Sequence, residues 1–324
     1  MSLAEYVRIL GRGPGRSRSL TLEEATGAMR LMLDGTAAPE AIGALLMLLR
    51  MKGETAQEIA GFAQAAQGVL PPISSVDLDW PSYAAGRTRG LPWFLLSARL
   101  VAQAGHGVLL HGWNGSDPAV RTGLQDAGID RAETIAEAET TLRRDGIAYL
   151  PLENLHPALF ALLNLRDVLG LRSCINTVCR MLNPAGASAS VQGVFHPSYR
   201  LLQSDAAQVM GLPSLCVIKG GGGEFERHPG KAVTVFGVQN GVAFESPSAA
   251  VLDGHTRLGD GPDAATTLAG LWSGDQADPF AQGVVTGTAA LALAALGYPD
   301  AGAKADALWA DRAAPRTTDK ETAA

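Results

Sequence analysis

Residues 21–68 read TLEEATGAMRLMLDGTAAPEAIGALLMLLRMKGETAQEIAGFAQAAQG and carry two capping boxes, Thr21 with Glu24 and Thr55 with Glu58, each opening an apolar-periodic run. In such a box the Thr hydroxyl accepts from the N–H three residues on, and the Glu carboxylate returns to the Thr N–H. Two donors that a first helical turn leaves unpaired are thereby satisfied. Between the boxes Ile42, Leu45, Leu46 and Leu49 recur at helical spacing behind Pro39, whose fixed φ suits a first turn. Asp34-Gly35 and Gly68 supply the stops. Residues 1–70 are therefore expected to form a small helical domain with an apolar face to bury.

Downstream the pattern changes. Val69 to Ser75, with Pro71-Pro72, breaks any helix and reads as a linker. Short strand-like runs then follow at Gly107–Leu110, Ile147–Leu150, Val191–Phe195, Leu215–Ile218 and Val233–Phe236, separated by longer helical stretches. Such alternation predicts an α/β domain over 71–312 with a central, mainly parallel sheet flanked by helices. Ala289 to Leu296, only Ala and Leu, is expected in a buried late helix, and 313–324 as a flexible tail.

Composition narrows the classes. The 324 residues are 47% apolar, enough for a substantial core. No apolar run reaches the roughly 18 residues of a membrane span, and Met1 to Leu10 lacks a cationic segment followed by an apolar one, so a cytoplasmic location is expected. Cys174, Cys179 and Cys216 cannot all pair and lack zinc spacing, which predicts buried, reduced thiols. The net charge of −6 argues against a uniformly basic nucleic-acid binder. Charge is nevertheless uneven: Arg8, Arg12, Arg16 and Arg18 face only Glu5 in residues 1–20, and Arg87, Arg89 and Arg99 face no acid in 82–100.

The stretch 164–187, NLRDVLGLRSCINTVCRMLNPAGA, resembles the V-R-x-x-L-G-x-R-T-x-F-N-x-x-x-P-L-x-N-P-A block of the anthranilate phosphoribosyltransferase family. Residues 20–67, with the turn at Met32–Gly35 and the segment Leu48–Gly53, resemble the helical domain of the same type-3 glycosyltransferases. Leu155-His156-Pro157-Ala158 is similar to the family's His-His-Pro-Ala with the first His lost. The resemblance implies a helical domain on an α/β domain, phosphoribosyl-diphosphate and Mg²⁺ in the ancestral site, an aromatic carboxylate acceptor, and a homodimer formed through the helical domain.

The motifs that hold the diphosphate in the family are absent. Its G-T-G-G-D loop lets backbone N–H groups approach phosphate; here Ser82-Tyr83-Ala84-Ala85-Gly86 stands in that place. Its N-x-S-T helix start corresponds to Pro92-Trp93-Phe94-Leu95, and its Lys-His-Gly-Asn-Arg to Leu110-His111-Gly112-Trp113-Asn114. Of the acidic pair that binds Mg²⁺, only Glu226 remains, with Phe225 on the Asp, unless Glu224 shifts into register. Arg166 aligns with an arginine near the acceptor carboxylate, and its fork suits a carboxylate or phosphate. Tyr83, Gly86, His111, Asn114, His156 and Arg166 are thus the substrate-pocket candidates, although a structural role is the better expectation for both histidines. Gly220 to Gly223 lacks a Gly-Lys-Ser/Thr ending and reads as a loop, not a phosphate loop.

Arginines have entered where glycines left. Arg87-Thr88-Arg89-Gly90, with Gly11-Arg12-Gly13 near the start, resembles the divergent branch of the family, whose homodimers bind nucleic acid in basic grooves, and Arg12, Arg16, Arg18, Arg87 and Arg89 are the candidate phosphate-binding residues. The first expectation is therefore a homodimer that binds DNA or RNA with low sequence specificity and needs no cofactor, Trp93 and Trp113 being candidate stacking faces. The alternative is an active, Mg²⁺-dependent transferase using phosphoribosyl diphosphate and an aromatic acceptor. A third reading is a nucleoside phosphorylase, which shares the architecture.

Overall fold

The computed structural model describes residues 2–84, 90–115, 117–253 and 266–313. Its N-terminal helices are α1 (Leu3–Gly11), α2 (Leu22–Leu33), α3 (Pro39–Lys52) and α4 (Ala56–Gln67). Both predicted capping boxes are formed, at the starts of α2 and α4. The second reaches further than a cap. Glu58 is fully buried, and its Oε2 accepts from Thr55 N and Lys52 Nζ, both at 2.8 Å, while Oε1 accepts from Leu20 N at 2.9 Å. One carboxylate thus ties the end of α3, the start of α4 and the entry to α2.

The chain continues through β1 (Leu78–Ser82), α5 (Phe94–Gln103), β2 (Val108–Gly112), α6 (Ala119–Asp126), α7 (Ile135–Asp145) and β3 (Ile147–Pro151). Then come α8 (Leu152–Leu155), α9 (Pro157–Leu169), α10 (Ile175–Arg180), β4 (Ala189–Val194), α11 (Ser198–Met210) and β5 (Ser214–Lys219). The last elements are β6 (Val233–Gln239), β7 (Val242–Ser248), α12 (Leu268–Ser273), α13 (Pro279–Ala295) and α14 (Ala301–Ala310).

One sheet of order β3-β2-β1-β4-β5-β6-β7 results, parallel through β5 and antiparallel from β5 to β7. The fold is a small helical domain on an α/β domain with a mostly parallel sheet. All five predicted strands are present, and β1 and β7 are additional. The predicted Ala/Leu run lies in α13, with Ala289, Ala292 and Leu293 fully buried. Two apolar clusters sandwich the sheet. Leu109 and Leu150 point to the face that receives α4, α9, α10 and α11, and Val108 and Leu110 to the face under α5 and α13. α4 packs on both α10 and α11, which brings the helical domain against the α/β unit beside the ends of β1 and β4.

The three cysteines are free and buried, as expected, and burial pushes all three thiols up, that of Cys216 to about 12. No helix among the described residues is long and apolar enough to cross a membrane.

Candidate functional site

The chain runs from β1 outward to β2 and β3, then returns to the other side of β1 as β4 and β5. Connections therefore diverge at the β1/β4 junction, the place where an open α/β sheet leaves a crevice beyond its carboxyl ends. Three segments close on that crevice: Ser82-Tyr83-Ala84 after β1, Trp113-Asn114 after β2, and 220–227 after β5.

A carboxylate fills its centre. Glu224 is fully buried, and its Oε1 accepts from Ala84 N at 2.8 Å, Asn114 Nδ2 at 2.9 Å and Ser82 Oγ at 3.0 Å. Two residues on, Glu226 Oε2 accepts from Phe94 N at 3.1 Å, at the first residue of α5. Phe225 between them turns the opposite way, fully buried with its ring 5.5 Å from Trp80 in an edge contact. A tight turn centred on Phe225, in which Glu226 N donates to Glu224 O at 2.9 Å, therefore aims both carboxylates at the crevice and anchors them through the phenyl ring. The backbone fits so closely that a Cβ on Gly193 would lie 1.9 Å from the carbonyl carbon of Glu224, and one on Gly220 would lie 1.6 Å from its oxygen. This is the role of the glycine run: it lets the loop fold against β4.

Two backbone N–H groups at this crevice, that of Ala84 after β1 and that of Phe94 at the start of α5, are thus bonded to the chain's own carboxylates. Glu224 Oε2 and Asn114 Oδ1 are buried without a hydrogen-bond partner. Phe225, at the place expected for the family's aspartate, lies in the core, and Glu226 Oε2 accepts from the first N–H of α5.

Arg180 is a site residue that the sequence reading missed, although the signal was present: it stands at the Pro of the family block's P-L-x-N-P-A. Its guanidinium, 7% exposed, donates to Gly193 O at 3.0 Å, Asn176 O at 3.1 Å, Tyr83 O at 2.8 Å and the Asn176 side-chain oxygen. Burial pushes its pKa down, while the charge of Glu224 opposes that shift. An internal cation and an internal anion therefore hold the segment after β1 from two sides.

The other candidates divide. His111 is fully buried within the sheet, its Nε2 3.0 Å from Asp79 Oδ1 and its Nδ1 2.9 Å from the Tyr83 hydroxyl; Asp79 Oδ2 in turn accepts from Ser190 Oγ at 2.7 Å. That chain orients Tyr83, whose phenol burial pushes up. His156 caps α9, accepting from Leu159 N at 3.3 Å, and burial pushes its pKa down. Arg166, with Nε 3.4 Å from Asp167, lines a constriction of about 10 Å³ together with Tyr83, Trp113 and Arg172. Trp93 is buried in the core and Trp113 packs edge-on against Phe160. Gly86, Arg87 and Arg89 lie outside the described residues.

Through Arg172, Ser173 and Asn176 the constriction joins a cavity of about 290 Å³ between α3, α10 and α11, into which Arg50, Arg180, His196 and Gln203 also project. Arg12 and Arg16 are exposed, Arg18 is held by Glu24 at 2.6 and 2.7 Å, and Lys52 Nζ at the end of α3 reaches Ser19 Oγ at 3.1 Å. Arg99 of the second island is a packing residue, 4.0 Å over the Trp272 ring and bonded to Ala127 O at 2.8 Å.

Residues 4–68 match the glycosyl transferase family helical bundle domain. Over 291 residues the chain is 31% identical to the anthranilate phosphoribosyltransferase of Halobacterium salinarum, an alignment spanning 86% of this chain and 84% of that protein. It is 30% identical to the enzyme of the same name from Methanosphaerula palustris over 63% of this chain, and there it spans only 62% of the relative's length. The crystal structure of anthranilate phosphoribosyltransferase from Thermus thermophilus superposes with a TM-score of 0.79 at 24% identity, covering 97% of this chain and 95% of that one.

Proposed function

We propose, from the premise that this chain belongs to the anthranilate phosphoribosyltransferase family, that it is a nucleic-acid-binding member which does not turn over phosphoribosyl diphosphate. The observation that carries this reading is Glu224, seated on three donors at the switch point of the sheet. A phosphate entering there has to displace a buried carboxylate and meets a second one, Glu226, at the start of α5. Preorganised donors are worth about 10² to 10³ in rate each when aimed at developing charge. Donors already engaged by the protein's own anions do not contribute in that way.

Cations for a phosphate ligand lie elsewhere: Arg12 and Arg16 are exposed, and Arg50 and Arg172 line the cavity that shares Arg172 with the constriction at Tyr83 and Ala84. Phosphates spaced along a strand suit several separated cations, and binding would be salt-dependent with little base preference. Self-association through the helical domain belongs to the same proposal, supported by Met51, exposed near the end of α3. Light scattering reads the mass directly, and a monomer at micromolar concentration would remove that part.

The names of the relatives favour a second reading, transfer of a phosphoribosyl group to an aromatic carboxylate. Two assays on one preparation separate the readings. The first reading expects no diphosphate release from phosphoribosyl diphosphate with Mg²⁺ and anthranilate, and oligonucleotide binding that weakens with added salt. Magnesium-dependent release at a turnover of order one per second, with no oligonucleotide retained at low salt, would establish the second reading instead.

A further inference from the structure

We infer that the arginine-lined cavity receives one unstacked nucleotide, either a free nucleoside monophosphate or the 5′-terminal nucleotide of a strand. The inference deepens the nucleic-acid reading and rests on its phosphate recognition. At about 290 Å³ the cavity is near the lower end of small-ligand sites, which are about 300 Å³ and upward, and so suits one nucleotide but not a longer segment.

Its lining is graded. Arg50 at the exposed end of α3 and half-buried Arg172 supply cations, and a guanidinium fork matches a terminal phosphate. Ser173 and Asn176, from the start of α10, add hydroxyl and amide groups of the kind that meet a sugar. From the β4–α11 side come Phe195 and Tyr199, with the Tyr199 hydroxyl 3.5 Å from Glu54 Oε2. Aromatic rings accept any base, because every base has a π-face.

Gln203 makes the lining more specific than an anion trap. It is 1% exposed, it lines the cavity, and its Oε1 is buried without a hydrogen-bond partner. A buried acceptor left unpaired carries a desolvation penalty, so a ligand whose N–H donor reaches it offsets what the empty site forgoes. Inorganic phosphate brings no such group past the arginines, whereas the amine of a base on a phosphorylated sugar does.

Calorimetry on the full chain with adenosine 5′-monophosphate, adenosine and inorganic phosphate tests this. The monophosphate is expected to bind at least tenfold more tightly than either part alone. Gln203→Leu should weaken it about tenfold and leave phosphate unchanged; Arg50→Ala, on an exposed residue, should weaken both. Equal affinity for the monophosphate and phosphate, or an unchanged monophosphate affinity in a folded Gln203→Leu protein, would overturn the inference. A 5′-phosphorylated oligonucleotide preferred over its 5′-hydroxyl form identifies the strand end as the source, and no preference identifies the free nucleotide. Oligonucleotide binding that survives while the monophosphate fails would sink this inference and leave the broader reading intact.

Discussion

At the residue scale, Glu224 decides the chemistry of the crevice, and it was the least legible of the important residues. In the sequence it follows four glycines and precedes Phe225, and the family register placed the acidic pair one residue later. Only packing shows that Phe225 is drawn into the core beside Trp80, which turns its two acidic neighbours inward. Replacing Glu224 with Ala would leave the Ser82, Ala84 and Asn114 donors unpaired and Arg180 without its nearby countercharge. We expect a stability loss of about 2–4 kcal/mol, read from urea midpoints. A loss under about 0.5 kcal/mol, typical of a neutral surface site, would mean that the carboxylate is not seated as described. His156 gives a pH signature. Its folded pKa lies below the usual 6.5 because burial disfavours the cation, so below pH 6.5 the unfolded chain binds the extra proton. Its stabilising contribution is therefore fully present above that pH and is lost as pH falls through 6.5 toward the folded value. Asn caps the helix without titrating, so His156→Asn should flatten the fall of stability between pH 7 and 5. Parallel curves for the two proteins would refute the assignment.

At the scale of elements, legibility followed the locality of the signal. Capping boxes and apolar periodicity are written within a few residues, and α2, α3 and α4 formed where those patterns stand. β1 was hidden because LDWPS places Asp79 and Pro81 in the middle of the sheet, where proline ordinarily costs a ladder bond. Here β1 pairs with β4 only at Leu78 and Asp79, so the missing N–H of Pro81 faces a place where that pairing has already ended. Asp79, for its part, is retained by His111 and Ser190. β7 ends in Ser246-Pro247-Ser248 on the sheet edge, where proline is tolerated, and Asn240-Gly241 ahead of it, both at positive φ, is a hairpin signal that could have found it. Close approach of elements is equally invisible in a sequence. At Gly193 the loop after β5 rests on β4 with no room for a methyl group, so Gly193→Ala should cost about 1–3 kcal/mol by overpacking and push Glu224 off its donors. Chemical denaturation gives the cost, and a wild-type midpoint would contradict the contact. Gly302→Ala within α14, where an added Cβ meets nothing within 4 Å, serves as the control and should cost nothing, with a gain of up to about 1 kcal/mol from helix propensity.

On the scale of the whole molecule, net charge and local field point in opposite directions. A chain at −6 repels a polyanion at long range, yet Arg12 and Arg16 are exposed and Arg50 and Arg172 line one cavity at the seam between α3 and the α/β unit. The sequence showed the islands but not the seam, because Arg50 and Arg172 are 122 positions apart and only the packing of α4 on α10 and α11 makes them neighbours. Packing also removes members: Arg18 is spent on Glu24 and Arg99 on Trp272. What remains makes a quantitative prediction about the polymer's phosphates. Each phosphate neutralised releases condensed counterion and contributes about −0.9 to the slope of log K against log salt on a duplex. If Arg12 and Arg16 each meet one phosphate, a double Arg12→Ala, Arg16→Ala protein should show a slope shallower by about 2, with affinity reduced alike for unrelated sequences. Arg18→Ala should leave the slope unchanged, since that guanidinium already holds a carboxylate. A slope altered by Arg18→Ala but not by the double substitution would place the nucleic acid on another face of the protein.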